Sequence, residues 1–162
     1  WYGDAELGFD TDAMDAIARN VDGIKTLSAE RLGSEMKRLL EAPDPVVSVA
    51  GMRSTGVLAA VLEGADDLAL GPLVHLEEML GIAPDPIRRL AILGGKDVAD
   101  TLRLSRQEAE RLRIICAGAP GGPKMSGYLL GEEAARDVHL IEAASLSAPL
   151  GATALVAIVA IE

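Results

Sequence analysis

The sequence predicts an all-α protein, and three observations carry that reading. Of its 162 residues, 49% are hydrophobic but only 2% aromatic. Ala, Leu, Ile and Val therefore carry the apolar surface, a composition that favours helix packing over a sheet-rich core. Helix start and stop signals recur along the whole chain, and no stretch alternates apolar and polar residues cleanly enough to compete as a strand. The length suits one packed domain or two small ones.

The spacing of Met14, Ile17, Ala18 and Val21 predicts a first helix from Asp12 to about Val21. Ser28 opens the second, in "LSAERLGSEMKRLLEAPDP", because its hydroxyl can accept from the free amides of the first turn. Leu32, Met36, Leu39 and Leu40 form that helix's buried stripe. Asp44 followed by Pro45 supplies a cap and a first-turn proline for a third helix ending near Gly56. "GVLAAVLEG" and "PLVHLEEMLG" each end in a glycine suited to a left-handed terminal residue. Asp85 and Pro86 repeat the cap before "IRRLAIL", which stops at Gly94 and Gly95. "LSRQEAERLRIICAG" carries a capping box, Ser105 with Glu108 three residues on.

The break "GAPGGPKMSG", Gly118 to Gly127, reads as a linker, with "EEAARDVHLIEAA" and a terminal helix beyond it. The apolar run Leu150 to Ile161 falls short of the roughly 18 to 20 residues a membrane span needs, so it reads as a core helix. No fixed-period repeat emerges.

Formal net charge is −10, from 15 Lys plus Arg against 25 Asp plus Glu. A whole-protein attraction to phosphate backbones is therefore excluded, and any nucleic-acid contact must be local. The single cysteine, Cys116, rules out an internal disulfide framework and fits a reducing compartment. The opening "WYGDAELGFD" has neither an initiator Met nor the regions of a signal peptide, so the chain is expected to begin inside a longer one.

On the second helix, Glu35 stands one turn after Arg31 and just under one turn before Arg38. Two readings stay open. The three are a solvated face, or Glu35 is partly buried and fixes how the helix meets a neighbour, leaving an arginine for phosphate. Arg88-Arg89, Arg103-Arg106 and Arg111-Arg113 read as helix surface with RNA backbone contact as the alternative. Lys124 resembles a phosphate-loop lysine only superficially, since Met125 stands where a hydroxyl residue should be. His75 and His139 lack companion cysteines at ligand spacing, and Cys116 reads as a small buried hydrophobe. The pairs Asp66-Asp67, Glu77-Glu78 and Glu132-Glu133 read as solvated helix ends, so no self-sufficient active site is expected.

"GFDTDAMDAIARNVDGIKTLSAERLGSEMKRLLEAPDP" resembles the segment just after the catalytic core in the bacterial CCA-adding tRNA nucleotidyltransferase and poly(A) polymerase family. Ser28-Ala29-Glu30-Arg31, then Glu35, then Leu39-Leu40, is similar to that family's late neck motif. "MRSTGVLAAVLEG", "DPIRRLAILG", "LRLSRQEAERL" and "YLLGEEAARDVHL" are similar to its later helices. The resemblance implies the end of a neck over 1–44, a helical body over 45–117, a linker over 118–127 and tail helices over 128–162.

It further implies an RNA-holding part of an enzyme that adds C, C and A to tRNA 3′ ends from CTP and ATP. Magnesium and the nucleotides would sit in a catalytic head joined in cis, outside this chain, which alone would be inactive. Ser28, Arg31 and Glu35 would brace the neck, and Arg38, Arg88, Arg89 and Lys124 would be the RNA-binding candidates. The expected partner is tRNA, with neither DNA nor membrane, in the cytoplasm. Poly(A) addition is the alternative within the family, and a helical protein-docking module the alternative outside it.

Overall fold

The structure, a computed structural model, describes residues 10–119, 121 and 123–146. The predicted helix over Leu150 to Ile161 lies outside the described residues. Those described form helices and no strand, as the composition and punctuation predict. The helices are α1 (Thr11–Arg19), a 3₁₀ turn (Val21–Thr26), α2 (Ala29–Leu40), α3 (Val46–Ser54), α4 (Val57–Val61), α5 (Leu70–Leu80), α6 (Pro86–Leu93), α7 (Val98–Thr101), α8 (Arg106–Ala117), α9 (Pro123–Leu130) and α10 (Glu132–Ser145).

Three of the predicted caps are where the side chains place them, whereas at α3 Pro45 rather than Asp44 takes the N-cap position, and Asp44 accepts from the Val46 amide from outside the helix. Ser28 accepts from the Arg31 amide at the start of α2. Asp85 accepts from the Arg88 amide ahead of Pro86 in the first turn of α6. Ser105 and Glu108 form the reciprocal capping box of α8. Gly81 closes α5 with φ +64, a conformation that costs residues with a Cβ about 1 to 2 kcal/mol.

Two further expectations give way. The first helix tightens into the 3₁₀ turn after Arg19, and none of its residues is buried; Ile17 is exposed. Across the stretch read as a linker, α9 begins at Pro123, whose fixed φ suits a first helical position. Helix α10 then packs back on α5, α6, α8 and α9.

Helix α6 lies at the centre, in contact with α2, α5, α8 and α10. The main core joins Met36, Leu39 and Leu40 of α2 to Leu58, Leu62, Leu70, Leu90, Leu93, Leu102 and Ile115. A second cluster, Leu73, Leu76, Leu140 and Ala144, joins α5 to α10. Burial on this scale, at roughly 25 cal/mol per Å² of apolar surface, is what holds short helices that would not persist alone.

Candidate nucleic-acid interface

Helix α2 has two faces of opposite character. Inward, Met36, Leu39 and Leu40 enter the core, and Gly33 lets the backbone of α2 meet the end of α7. A Cβ on Gly33 would stand 1.9 Å from the Leu102 carbonyl oxygen. Between these, Lys37 donates to Glu108 at 2.7 Å and ties α2 to α8.

Outward, Arg31, Glu35 and Arg38 are all exposed. No ion pair joins Glu35 to either arginine among the described residues, so the expected brace through Arg31 and Glu35 is not what fixes this helix. The solvated face is the reading that stands, and Gly33 and Lys37 make the contacts assigned to the brace. The reason is geometric: the buried stripe runs through Gly33, Met36, Leu39 and Leu40, which turns positions 31, 35 and 38 to solvent.

Between residues 10 and 68 the other basic side chains are engaged. Arg19 donates to the Asp15 carbonyl, Lys25 to Asp22, Lys37 to Glu108, and Arg53 meets Asp67 at 3.1 Å. Arg31 and Arg38 alone there have neither ion pair nor side-chain hydrogen bond among the described residues. Seven positions apart on one stripe, they project about 10 Å from each other along the helix axis.

Arg88 and Arg89 do not face RNA. They are 4% and 1% exposed, and every guanidinium nitrogen is committed. Arg88 donates to Glu77 and Asp137, each at 2.8 Å, and to the Ala83 carbonyl. Arg89 donates to Glu77 through two nitrogens and to the carbonyls of Leu40, Ala42 and Pro43 at and just past the end of α2. Arg111, also read as surface, is half-buried and bonds Asp85 and Asp137.

Burial alone would push the Arg88 and Arg111 guanidinium groups down. The bonds from Asp137, with those from Glu77 and Asp85, outweigh it and raise both. Burial likewise pushes the Asp85 carboxyl up, but the Arg88 amide and the Arg111 guanidinium hold it below the usual carboxylate range. Glu77, expected at a solvated helix end, is 2% exposed and stands at the middle of this cluster. The cluster links α2, α5, α6, α8 and α10, and it is structural.

Lys124 is exposed on α9, outside the α2 face. Cys116, expected to be buried, is exposed beside α10, and partial burial of its thiol pushes it up. His139 Nδ1 donates to Glu142 at 3.0 Å, leaving Nε2 to accept from the Ser126 hydroxyl at 2.8 Å. That row has the connectivity of a nucleophile, base and orienting acid, but Ser126 is fully buried. It works as a lock between α9 and α10.

Among the described residues no three His, Cys, Asp or Glu side chains are grouped so as to hold a metal. The buried carboxylates Glu77 and Asp137 are occupied by arginines, so they are not open to magnesium. No helix among them is long and apolar enough to cross a membrane.

The Lys37 bond, against the opposing effect of burial and aided by Ser105, holds the Glu108 carboxyl down at about 2. A carboxyl lowered by folding stabilises the fold above its unfolded value of 4.5 and loses that contribution as pH falls through its folded value. Melting temperature should therefore fall as pH drops from 4.5 to about 2. Glu108→Gln should be less stable at neutral pH and show a flatter fall, with the remainder coming from Asp85. A series of thermal melts by circular dichroism checks this, and curves of equal slope would contradict it.

Residues 7–68, which span α1 to α4, match the family model described as the probable RNA and SrmB-binding site of polymerase A. No curated protein and no solved structure matches the chain. The matched segment, which carries Arg31 and Arg38, is therefore similar to an RNA-binding region of the polymerase A family.

Proposed function

We propose that this chain is the tRNA-holding helical part of a CCA-adding nucleotidyltransferase, and that the outer face of α2 is its phosphate contact. The observation that carries this is a coincidence of place. Arg31 and Arg38, the two basic side chains of residues 10–68 without a partner among the described residues, lie on one helix stripe, inside the segment matched to an RNA-binding region. Guanidinium groups suit that task, because each presents several donors in a planar fork that fits phosphate oxygens.

The acidic chain confines attraction to that stripe. With a single aromatic residue, Tyr128, among those described, recognition would rest on shape and backbone rather than on stacked bases. Catalysis would belong to a head domain in cis. Magnesium there would neutralise the triphosphate of CTP or ATP while the tRNA 3′ hydroxyl attacks, in the cytoplasm where tRNA is matured.

Competition binding tests the tRNA reading. Folded tRNA lacking its CCA end should displace a labelled tRNA from the chain at lower concentration than oligoadenylate of equal length. The reverse order would favour poly(A) addition and contradict it.

A further inference from the structure

Arg103 stands well beyond the segment matched to an RNA-binding region, yet the fold brings it to the edge of the α2 face. It lies in the turn between α7 and α8 with φ +48, a left-handed conformation uncommon for a residue with a Cβ. Glycine would be relaxed there. What fixes the turn is Leu102, 1% exposed, whose carbonyl passes so close to Gly33 that a Cβ on α2 would collide with it. Backbone strain persists only where the surroundings hold it.

The Arg103 Nε stands 3.9 Å from a carboxylate oxygen of Glu30, at the limit of an ion pair and beyond hydrogen-bond reach. Arg103 makes no other ion pair and no side-chain hydrogen bond among the described residues. Its side chain is 63% exposed, and so open a pair contributes little to stability. Packing therefore does not account for a guanidinium at this position.

On α2, Glu30, Gly33 and Lys37 form the stripe that meets Arg103, Leu102 and Glu108. Arg31 and Arg38 each follow that stripe by one residue, about 100° round the helix, with the exposed Ser34 between the two stripes. The three guanidinium groups thus border one exposed surface. Arg103 offsets Glu30 at its near edge, and Glu35 lies on the far side of Arg31 and Arg38.

We propose that Arg103 is a third phosphate contact, so that the RNA surface runs from α2 onto the turn between α7 and α8. The inference rests on the reading of the α2 face as a phosphate contact and extends it to a residue outside 7–68. A phosphodiester suits the position, because its oxygens can take the guanidinium donors that Glu30 leaves unused.

Removing Arg103 alone would also uncover the charge of Glu30. The test therefore uses the double variant Glu30→Gln, Arg103→Gln in the full chain, which leaves the net charge unchanged. Labelled tRNA lacking its CCA end is titrated by fluorescence anisotropy across a range of salt. The double variant should bind about five- to eightfold more weakly than wild type at about 0.1 M salt, with the slope of log affinity against log salt reduced by about 0.7 to 0.9, the release expected for one phosphate contact. Arg103→Lys, which keeps the charge, should keep the wild-type slope. A slope lost there as well would assign the effect to the turn rather than the charge and overturn the proposal. Wild-type affinity and slope in the Gln pair, beside weakened binding in Arg31→Ala, Arg38→Ala, would overturn the inference and leave the α2 reading standing. Unchanged binding in the Arg31 and Arg38 variant would remove that reading, and this inference with it.

Discussion

Arg89→Met should lower the stability of the chain by about 3 to 5 kcal/mol, the range found when one partner of a buried ion pair is removed. Methionine keeps much of the apolar bulk, so the loss isolates the guanidinium. Two things go at once. Glu77 keeps Arg88 on one oxygen but loses both Arg89 bonds on the other, in a site that is 2% exposed. The carbonyls of Leu40, Ala42 and Pro43 lose their shared donor, and so the end of α2 is no longer tied to α6. The corresponding fall in melting temperature is on the order of 10 °C. Arg38→Met, on the exposed face of the same helix, should leave the melting temperature where it is. A melt that cannot tell the two variants apart would refute the division into structural and surface arginines.

Gly33→Ala should also destabilise, although helix propensity argues the other way by about 1 kcal/mol. The new Cβ would meet the Leu102 carbonyl oxygen at 1.9 Å and its carbon at 2.9 Å, both backbone atoms at the end of α7. Neither can swing aside as a side-chain tip can, so α2 must move off the core that Met36 and Leu40 enter. Overpacking of this kind costs about 1 to 3 kcal/mol, and a backbone-on-backbone clash belongs at the upper end. Gly23 is the control. Nothing lies within 4 Å of a Cβ built there. Its replacement by Ala should be neutral or stabilising, since the unfolded chain loses freedom. Denaturant melts of both variants measure the contrast, and a stabilised Gly33→Ala chain would mean that α2 and α7 do not meet as described.

Much of the fold was legible because helix ends announce themselves locally. Ser28, Asp85 and the Ser105 and Glu108 box each act within four residues of where they stand, so tertiary structure had little to override. Partnering across the chain was not legible. Lys37 and Glu108 are 71 positions apart, and nothing local joins them. The arginines of "IRRLAIL" were misplaced for a related reason. Paired arginines are ordinarily solvated, yet in α6 Arg88 and Arg89 are buried along with Ile87, Leu90 and Leu93, so the helix is enclosed on nearly every side.

A signal for this did exist in the acids. Glu77 falls on the stripe of Leu73, Leu76 and Leu80, and Asp137 on that of Leu140 and Ala144. A carboxylate on an apolar stripe requires a buried cation, and α6 offers two. On the outer face of α2 the sequence leaves a solvated face and a brace open, and the exposure of Arg31, Glu35 and Arg38 is what the spacing alone does not decide. Charges at helical spacing look alike whether they pair with each other or stay open to a ligand.

The central claim is that Arg31 and Arg38 meet phosphate while Arg88 and Arg89 do not. Fluorescence anisotropy of labelled tRNA lacking its CCA end, titrated at several salt concentrations, tests it most directly. Wild type should bind saturably and weaken with salt. The double variant Arg31→Ala, Arg38→Ala should bind more weakly, with the slope of log affinity against log salt reduced by about 1.4 to 1.8, the release expected for two phosphate contacts. An unchanged affinity and slope in that variant would contradict the account.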